Sequence, residues 1–268
     1  MELITAAAII SLLSVALIFS PLGLGGGVLY VPIFYYMLDW EMQEAVTGSL
    51  TLVLMVSLGS SLAHSKAGYA DKDAANLGRM TAIPAAIIGT ILSGVFISLL
   101  GDIIIKILAT IILIFVIERT ITRMRTQTIE SDEVELSEHK TKYLVGTSFA
   151  GLSSGILGIG GGAILVTTNR SMLKMDAKKA AGTSYLVTAT IVPVALLSHL
   201  VINQNLDVIV DHSGIFAMVL VPLMVFSSAF FGAKYAIKYL PKQVVTVVFL
   251  FVVSISLLRY IVDFLTVI

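Results

Sequence analysis

The chain alternates long apolar runs with short polar breaks. Apolar segments cover 3–21, 24–38, 45–64, 78–100, 102–118, 143–157, 160–173, 180–202, 208–233 and 243–265. A helix needs about 20 apolar residues to cross a bilayer. Segments 24–38, 143–157 and 160–173 fall short of that, and each adjoins a glycine cluster, which predicts half-helices or a re-entrant hairpin. Backbone in hydrocarbon must satisfy its own hydrogen bonds, so helices are expected throughout. The only long polar stretch is 119–142, RTITRMRTQTIESDEVELSEHKTK. It predicts a linker between a first transmembrane repeat, 1–118, and a second, 143–268. Met1-Glu2 leads straight into apolar residues without a basic region, so the first segment is expected to be kept rather than cleaved as a signal.

Composition sharpens this picture. Apolar residues make up 57% of the 268 residues and charged residues 13%, against about 25% charged in a typical soluble domain. Mean hydropathy is +0.98. A soluble protein of this size has too much surface to cover with so few polar side chains. The lipid bilayer is therefore the expected surrounding. The net charge of zero gives no bias toward nucleic acid. The absence of Cys removes disulfides, thiolate chemistry and Cys-based zinc sites. Four scattered His make no metal site, and no cofactor is called for.

The two halves repeat one another. Leu22-Gly23-Leu24-Gly25-Gly26-Gly27 matches Leu157-Gly158-Ile159-Gly160-Gly161-Gly162 at an offset of 135 residues. At the same offset Met37-Leu38 falls on Met172-Leu173, Ala45 on Ala180, Ser49 on Ser184 and His64 on His199. Pro84 and Gly94 match Pro222 and Gly232 after a three-residue shift. Lys and Arg set the orientation, because cytoplasmic loops are rich in them. Fifteen of the 17 lie in 65–79, 119–142, 170–179 and 234–242, which are expected inside. Loops 38–44, 100–101 and 203–213 have none and are expected outside, with both termini external and the linker cytoplasmic. Equivalent loops of the two halves then lie on opposite sides. The expected fold is an all-α polytopic membrane protein of two inverted-topology repeats, about five hydrophobic segments each, with glycine-broken helices.

Inverted repeats supply two packings of similar energy, open to opposite sides, as in many secondary transporters. Gly25, Gly26 and Gly27, and Gly160, Gly161 and Gly162, leave backbone N–H groups uncovered at the positive ends of half-helices, which suits an anion. Thr47 and Ser49, with Thr183 and Ser184, add hydroxyls that donate without adding charge. His64 and His199 are candidates for carrying a proton with the substrate. Lys106, one turn inside its segment, is expected to snorkel to the interface. Trp40, beside Tyr35 and Tyr36, is expected in an interfacial aromatic belt.

These motifs resemble the sulfite exporter TauE/SafE family of bacterial membrane permeases. The resemblance is carried by Leu22–Gly27, Ala45-Val46-Thr47-Gly48-Ser49-Leu50 and Ser61-Leu62-Ala63-His64. In the second half it is carried by Gly158–Gly162 and Ala181-Gly182-Thr183-Ser184. The family pattern reads Gly-Thr-Ser in both halves, whereas this first half reads Thr47-Gly48-Ser49. The resemblance implies transport of a sulfur-containing anion, sulfite or an organosulfonate, across the bacterial inner membrane. The expected partner is thus a small anionic substrate, and self-association into a homo-oligomer is left open. Other readings are a channel or carrier for a different small ion, and an intramembrane serine hydrolase using Ser153 or Ser154 with His199. The spacing Gly151-Leu152-Ser153-Ser154-Gly155 departs from the Gly-x-Ser-Gly of such proteases. Gly158-x-Gly160-x-x-Ala163 fits a loose dinucleotide fingerprint, but its apolar flanks do not suit a strand–helix unit. A Walker pattern is absent, so ATP-driven transport is not encoded here.

Because the chain has no native Cys, the orientation can be tested directly. Asp39→Cys should react with a membrane-impermeant thiol reagent from outside the cell. Lys174→Cys should react only after the membrane is opened. Labelling of both from the same side would end the inverted-repeat argument.

Overall fold

The computed structural model describes residues 2–125, 136, 139–204, 206–239 and 241–267. Ten helices make up nearly all of them, and no strand occurs among the described residues. They are α1 (Glu2–Phe19), α2 (Gly27–Met37), α3 (Met42–Lys66), α4 (Lys72–Leu100), α5 (Ile103–Arg125), α6 (Lys140–Leu157), α7 (Gly162–Met172), α8 (Ala177–Asn203), α9 (Leu206–Tyr239) and α10 (Lys242–Val267). Helices α3, α4, α8 and α9 are each long and apolar enough to cross a membrane. At 1.5 Å per residue, the 11-residue α2 and α7 reach only about 16 Å, half of a hydrocarbon core. The protein is a multi-pass membrane protein.

Acidic side chains start the long helices. The Glu41 carboxylate caps α3, and its backbone N–H is bound in return by Glu44. Asp71 accepts from the N–H groups of Asp73 and Ala74 at the start of α4. Asp176 accepts from Lys178 and Lys179 at the start of α8. Gly101, at φ 69°, ends α4. Gly214, at φ 71°, interrupts α9 near its beginning.

Helices α3 and α8 pack together and form the middle of the molecule; α3 also meets α9, and α4 meets α6 and α8. In α3, 72% of the apolar window is buried, against 17% in α9, so α3 is an inner helix and α9 an outer one. The outer faces expose Ile88, Leu99, Phe149, Leu197, Phe216 and Phe251, as a lipid-facing surface requires. The α4–α6 contact is backbone against backbone. A Cβ on Gly151 would run into the Ala82 carbonyl, one on Gly155 into that of Ala86, and one on Gly89 into that of Leu152. Small residues spaced four apart allow this approach, and dispersion then replaces the hydrophobic effect that lipid cannot supply.

The loops collect at two ends. At the end of α3, Lys178 lies 5.2 Å from the centre of the Tyr69 ring and donates to the Ile237 carbonyl at 2.9 Å, while Lys179 pairs with Asp71 at 3.4 Å. At the start of α3, about 37 Å away by helix length, Glu44 pairs with His212 at 3.3 Å. The Lys-bearing loops thus gather at one end of α3, and loops 38–44 and 203–213 at the other.

Two local expectations are corrected, and the edges of a third are defined. Within the polar stretch 119–142, α5 continues through Arg125 and α6 begins at Lys140, while 126–135, 137 and 138 lie outside the described residues. Lys106 does not snorkel. Its ammonium turns inward, 9% of the residue is exposed, and it pairs with Asp263 of α10, which also accepts from the Tyr36 hydroxyl at 3.2 Å. A buried charge in a membrane is held by a partner charge when one is within reach, and here it came from 157 residues away. Trp40 is buried rather than interfacial; it stacks on Phe34 with ring centres 4.5 Å apart and covers Gly48.

The α4–α6 contact yields a paired test. Gly151→Ala should lower the stability of the detergent-solubilised protein by about 1–3 kcal/mol, the cost of overpacking. Gly94→Ala, where the nearest atom to a new Cβ is 4.0 Å away, should be neutral or slightly stabilising. Thermal unfolding followed by circular dichroism reads both.

Candidate functional site

The two glycine loops set up the candidate site. In the first, α1 ends at Phe19 and α2 begins at Gly27, with Gly23, Gly25 and Gly26 at φ 81°, 75° and 82°. In the second, α6 ends at Leu157 and α7 begins at Gly162, with Gly158, Gly160 and Gly161 at φ 68°, 76° and 68°. Only glycine takes this left-handed backbone without strain. The turns set the N-termini of α2 and α7 in the buried core, where first-turn amides ordinarily lack helical partners, although that of Leu29 is bound by the Gly26 carbonyl at 2.9 Å.

The loops cross in contact. A Cβ on Gly27 would overlap the backbone of Ile159, and one on Gly162 the backbone of Gly23 and Leu24. Val53 of α3 lies between Gly25 and Gly160 and touches the space where either would carry a side chain. Two of the four predicted hydroxyls, Ser49 and Ser184, are at this crossing. Ser49 donates to the Gly158 carbonyl at 2.7 Å. Ser184 donates to the Gly23 carbonyl at 2.9 Å and lies 3.3 Å from that of Gly162. Each serine therefore holds the loop of the other half. Thr188, which sequence reasoning did not single out, reaches the Gly160 carbonyl at 3.3 Å. Thr47 bonds back to the Gln43 carbonyl at 2.8 Å. The Thr183 hydroxyl accepts from the Asp71 N–H at 2.9 Å, at the Lys-bearing end of the molecule. Ser49 and Ser184 are brought to the glycines, whereas the bonds of Thr47 and Thr183 lie along the helix and toward the α3–α4 loop.

The two histidines are buried, His64 at 0% and His199 at 1% exposure, but differ in what they meet. His199 Nε2 lies 2.7 Å from the Gly155 carbonyl, and its Nδ1 lies 3.1 Å from the Asn203 amide. His64 Nδ1 lies 2.9 Å from the Ser60 carbonyl, and its Nε2 has no hydrogen-bond partner among the described residues. The His64 ring sits 5.7 Å from that of Tyr185, whose hydroxyl donates to the Phe19 carbonyl at 2.8 Å. The oxygen of that hydroxyl is faced by the backbone amides of Gly23, Leu24 and Gly25. Tyr30 and Ser60 line the same region. Sequence reasoning missed Tyr30, Ser60 and Tyr185; the signal available was that each is polar where its offset-135 counterpart is Leu165, Ala195 or Leu50.

Other arrangements in the described residues do not compose a site. Ser153 donates to the Ala150 carbonyl at 2.9 Å, and His199 Nε2 is engaged with Gly155, so neither is set to activate the other. No group of three His, Asp or Glu comes together among the described residues. The cavity between α2, α5 and α10 is apolar, lined by Val28, Ile105, Leu113, Leu157, Ile159 and Tyr260, which does not suit an anion.

The sequence model of the sulfite exporter TauE/SafE family matches residues 7–260. Neither the curated proteins nor the solved structures yield a match.

The crossed serine bonds are testable. Ser49→Ala and Ser184→Ala each leave a buried loop carbonyl with one bond fewer and should each cost about 1–3 kcal/mol of stability. The double variant should depart from additivity, since both bonds hold the same crossing. Thermal unfolding of the four proteins in one detergent reads the cycle.

Proposed function

We propose that this chain, which belongs to the sulfite exporter TauE/SafE family, is a secondary carrier of a small sulfur-containing oxyanion such as sulfite or an organosulfonate. It works by alternating access around an anion held between the two glycine loops. The observation that carries the reading is the meeting of two half-helix N-termini in the interior. Both ends bring first-turn amides and the positive pole of a helix dipole to one place.

An inverted repeat of 1–118 and 143–268 underlies the mechanism. Its support is the recurrence of local features at the 135-residue offset. Asp39 and Lys174, both non-glycine, share φ 57° and 55°. Glu41 and Asp176 both sit at helix N-caps. The bond from Ser49 to Gly158 is answered by the bond from Ser184 to Gly23. Helix α4 packs on α6 as α9 packs on α1, and α3 on α9 as α8 on α4. The gathering of Lys-bearing loops at one end supports a cytoplasmic face there, with the linker cytoplasmic and both termini external in the bacterial inner membrane.

In this mechanism Gly25–Gly27 and Gly160–Gly162 bind the anion through backbone amides, and Thr47, Ser49, Thr183 and Ser184 supply hydroxyls. Rocking one half against the other exchanges the serine bonds, from the facing loop's carbonyl to the anion and back. Neutral donors hold an oxyanion without a fixed positive charge that would have to be carried through lipid. His64 and His199 are the candidates for coupling proton movement to the anion.

Purified protein reconstituted in liposomes should carry sulfite, with sulfate, sulfoacetate and taurine run beside it. Gly26→Leu combined with Gly161→Leu should abolish the flux, because both positions require positive φ. Flux of another of these anions would reassign the substrate. Absence of flux for all four, with a pH gradient in either direction, would overturn the carrier reading.

A further inference from the structure

Three polar groups beside the first glycine loop are fully buried and make no hydrogen bond of good geometry among the described residues: the Tyr30 hydroxyl, His64 Nε2 and the Ser60 hydroxyl, which faces only the Tyr185 oxygen. Buried polar groups are ordinarily paired, and leaving one unpaired is unfavourable. Ser60 and His64 stand one turn apart on the same face of α3. Tyr30 lies against the loop, since a Cβ on Gly26 would be 3.1 Å from its ring. The Ser60 hydroxyl and the amides of Gly23, Leu24 and Gly25 face the Tyr185 oxygen, whose own O–H donates to the Phe19 carbonyl. A hydroxyl oxygen is therefore lodged where loop amides converge, the position an anion oxygen would take.

The second loop has no such cluster. Leu165, Ala195 and Leu50 stand where Tyr30, Ser60 and Tyr185 stand in the first. His199, the counterpart of His64, has both ring nitrogens engaged. The two histidines also differ in what they can accept. His64 Nδ1 faces the Ser60 carbonyl, which only accepts, so a neutral ring with the hydrogen on Nδ1 satisfies that bond and leaves Nε2 as the acceptor, with the Pro21 carbonyl also beside the ring. Tyr185 and Lys178 on α8 and Tyr30 on α2 are the titratable groups around this ring, with the Pro21 carbonyl of the loop beside it. Lys66 on α3 and Lys234 on α9 are turned over the Phe230 ring.

Resting on the carrier reading and narrowing its two-loop site, we propose that the oxyanion is held chiefly from one side, by the first loop. There it takes hydrogen bonds from Tyr30, Ser60 and the amides of Gly23, Leu24 and Gly25 as Tyr185 swings out, and it arrives with one proton shared with His64 Nε2. The proton either comes on the oxyanion or is taken from solvent by the imidazole, and the balance is one proton per anion in both cases. His199 is then a structural histidine. The site selects ligands with three or more acceptor oxygens on one centre, such as sulfite or a sulfonate head group.

The test is calorimetric titration of the solubilised full chain with sodium sulfite, in two buffers of different ionisation enthalpy, at a pH where sulfite is mostly the dianion. Wild type should bind sulfite with uptake of about one proton per anion. Tyr30→Phe and Ser60→Ala should each weaken binding about tenfold or more. The same two variants should keep or raise the melting temperature of the ligand-free protein, because they remove unpaired polar groups. A residue serving only the fold would do the reverse. His64→Gln should lose the proton uptake. Ser154→Ala, another buried unpaired hydroxyl but on α6, should bind as wild type. Wild-type affinity in Tyr30→Phe and Ser60→Ala, or a fall in their melting temperatures, overturns the one-sided site while sulfite flux in liposomes keeps the carrier reading. Absence of both binding and flux in the wild type overturns the two together.

Discussion

The structure depends on two polypeptide backbones crossing where no side chain fits. Gly27 lies on the backbone of Ile159, and Gly162 on that of Gly23 and Leu24. The left-handed turns that bring them there need glycine at Gly25, Gly26, Gly160 and Gly161. Everything nearby serves this approach. Val53 fills the space between the loops, Ser49 and Ser184 bind the facing loop's carbonyls, and α3 and α8 pack together along the centre that carries these side chains. Helices α2 and α7 are only 11 residues long, and their N-termini start at this crossing.

A carrier must bind its substrate and then release it on the other side, which disfavours deep, fixed charge at the site. In the proposed carrier the donors are backbone amides and hydroxyls, and two of those hydroxyls, Ser49 and Ser184, bind loop carbonyls. The charged groups lie at the periphery. Lys178 and Lys179 tie the loops at one end. Lys106 and Asp263 join α5 to α10 near the other. A buried ion pair contributes little net stability when whole, yet breaking it leaves a charge in lipid. It therefore holds two helices from different halves in one register.

The glycine clusters, the paired serines and the helix count were legible in the sequence, because duplication places the same rare pattern twice at one offset. The four long spans followed from hydropathy alone. What escaped was long-range or lacked symmetry. Lys106 finds Asp263 across 157 positions, and no local pattern announces it. Trp40 looked interfacial by its position, but Gly48 opens a slot that its indole fills. Arg119 and the residues after it looked like linker by polarity, yet α5 runs on through Arg125, since polar residues prolong a helix once it leaves the apolar core. Tyr30, Ser60 and Tyr185 carry no repeat signal, because they stand where the halves differ, opposite Leu165, Ala195 and Leu50.

The central claim is that the anion sits at the glycine loops. Selenite, a heavier oxyanion of the same shape and charge as sulfite, makes that visible. The measurement is an anomalous difference map from crystals of the full chain soaked in selenite. The account predicts a selenium peak within hydrogen-bonding range of the Gly23–Gly27 amides, with Tyr185 displaced. A peak found only among the Lys-bearing loops, with the two glycine loops still closed on each other, would contradict it.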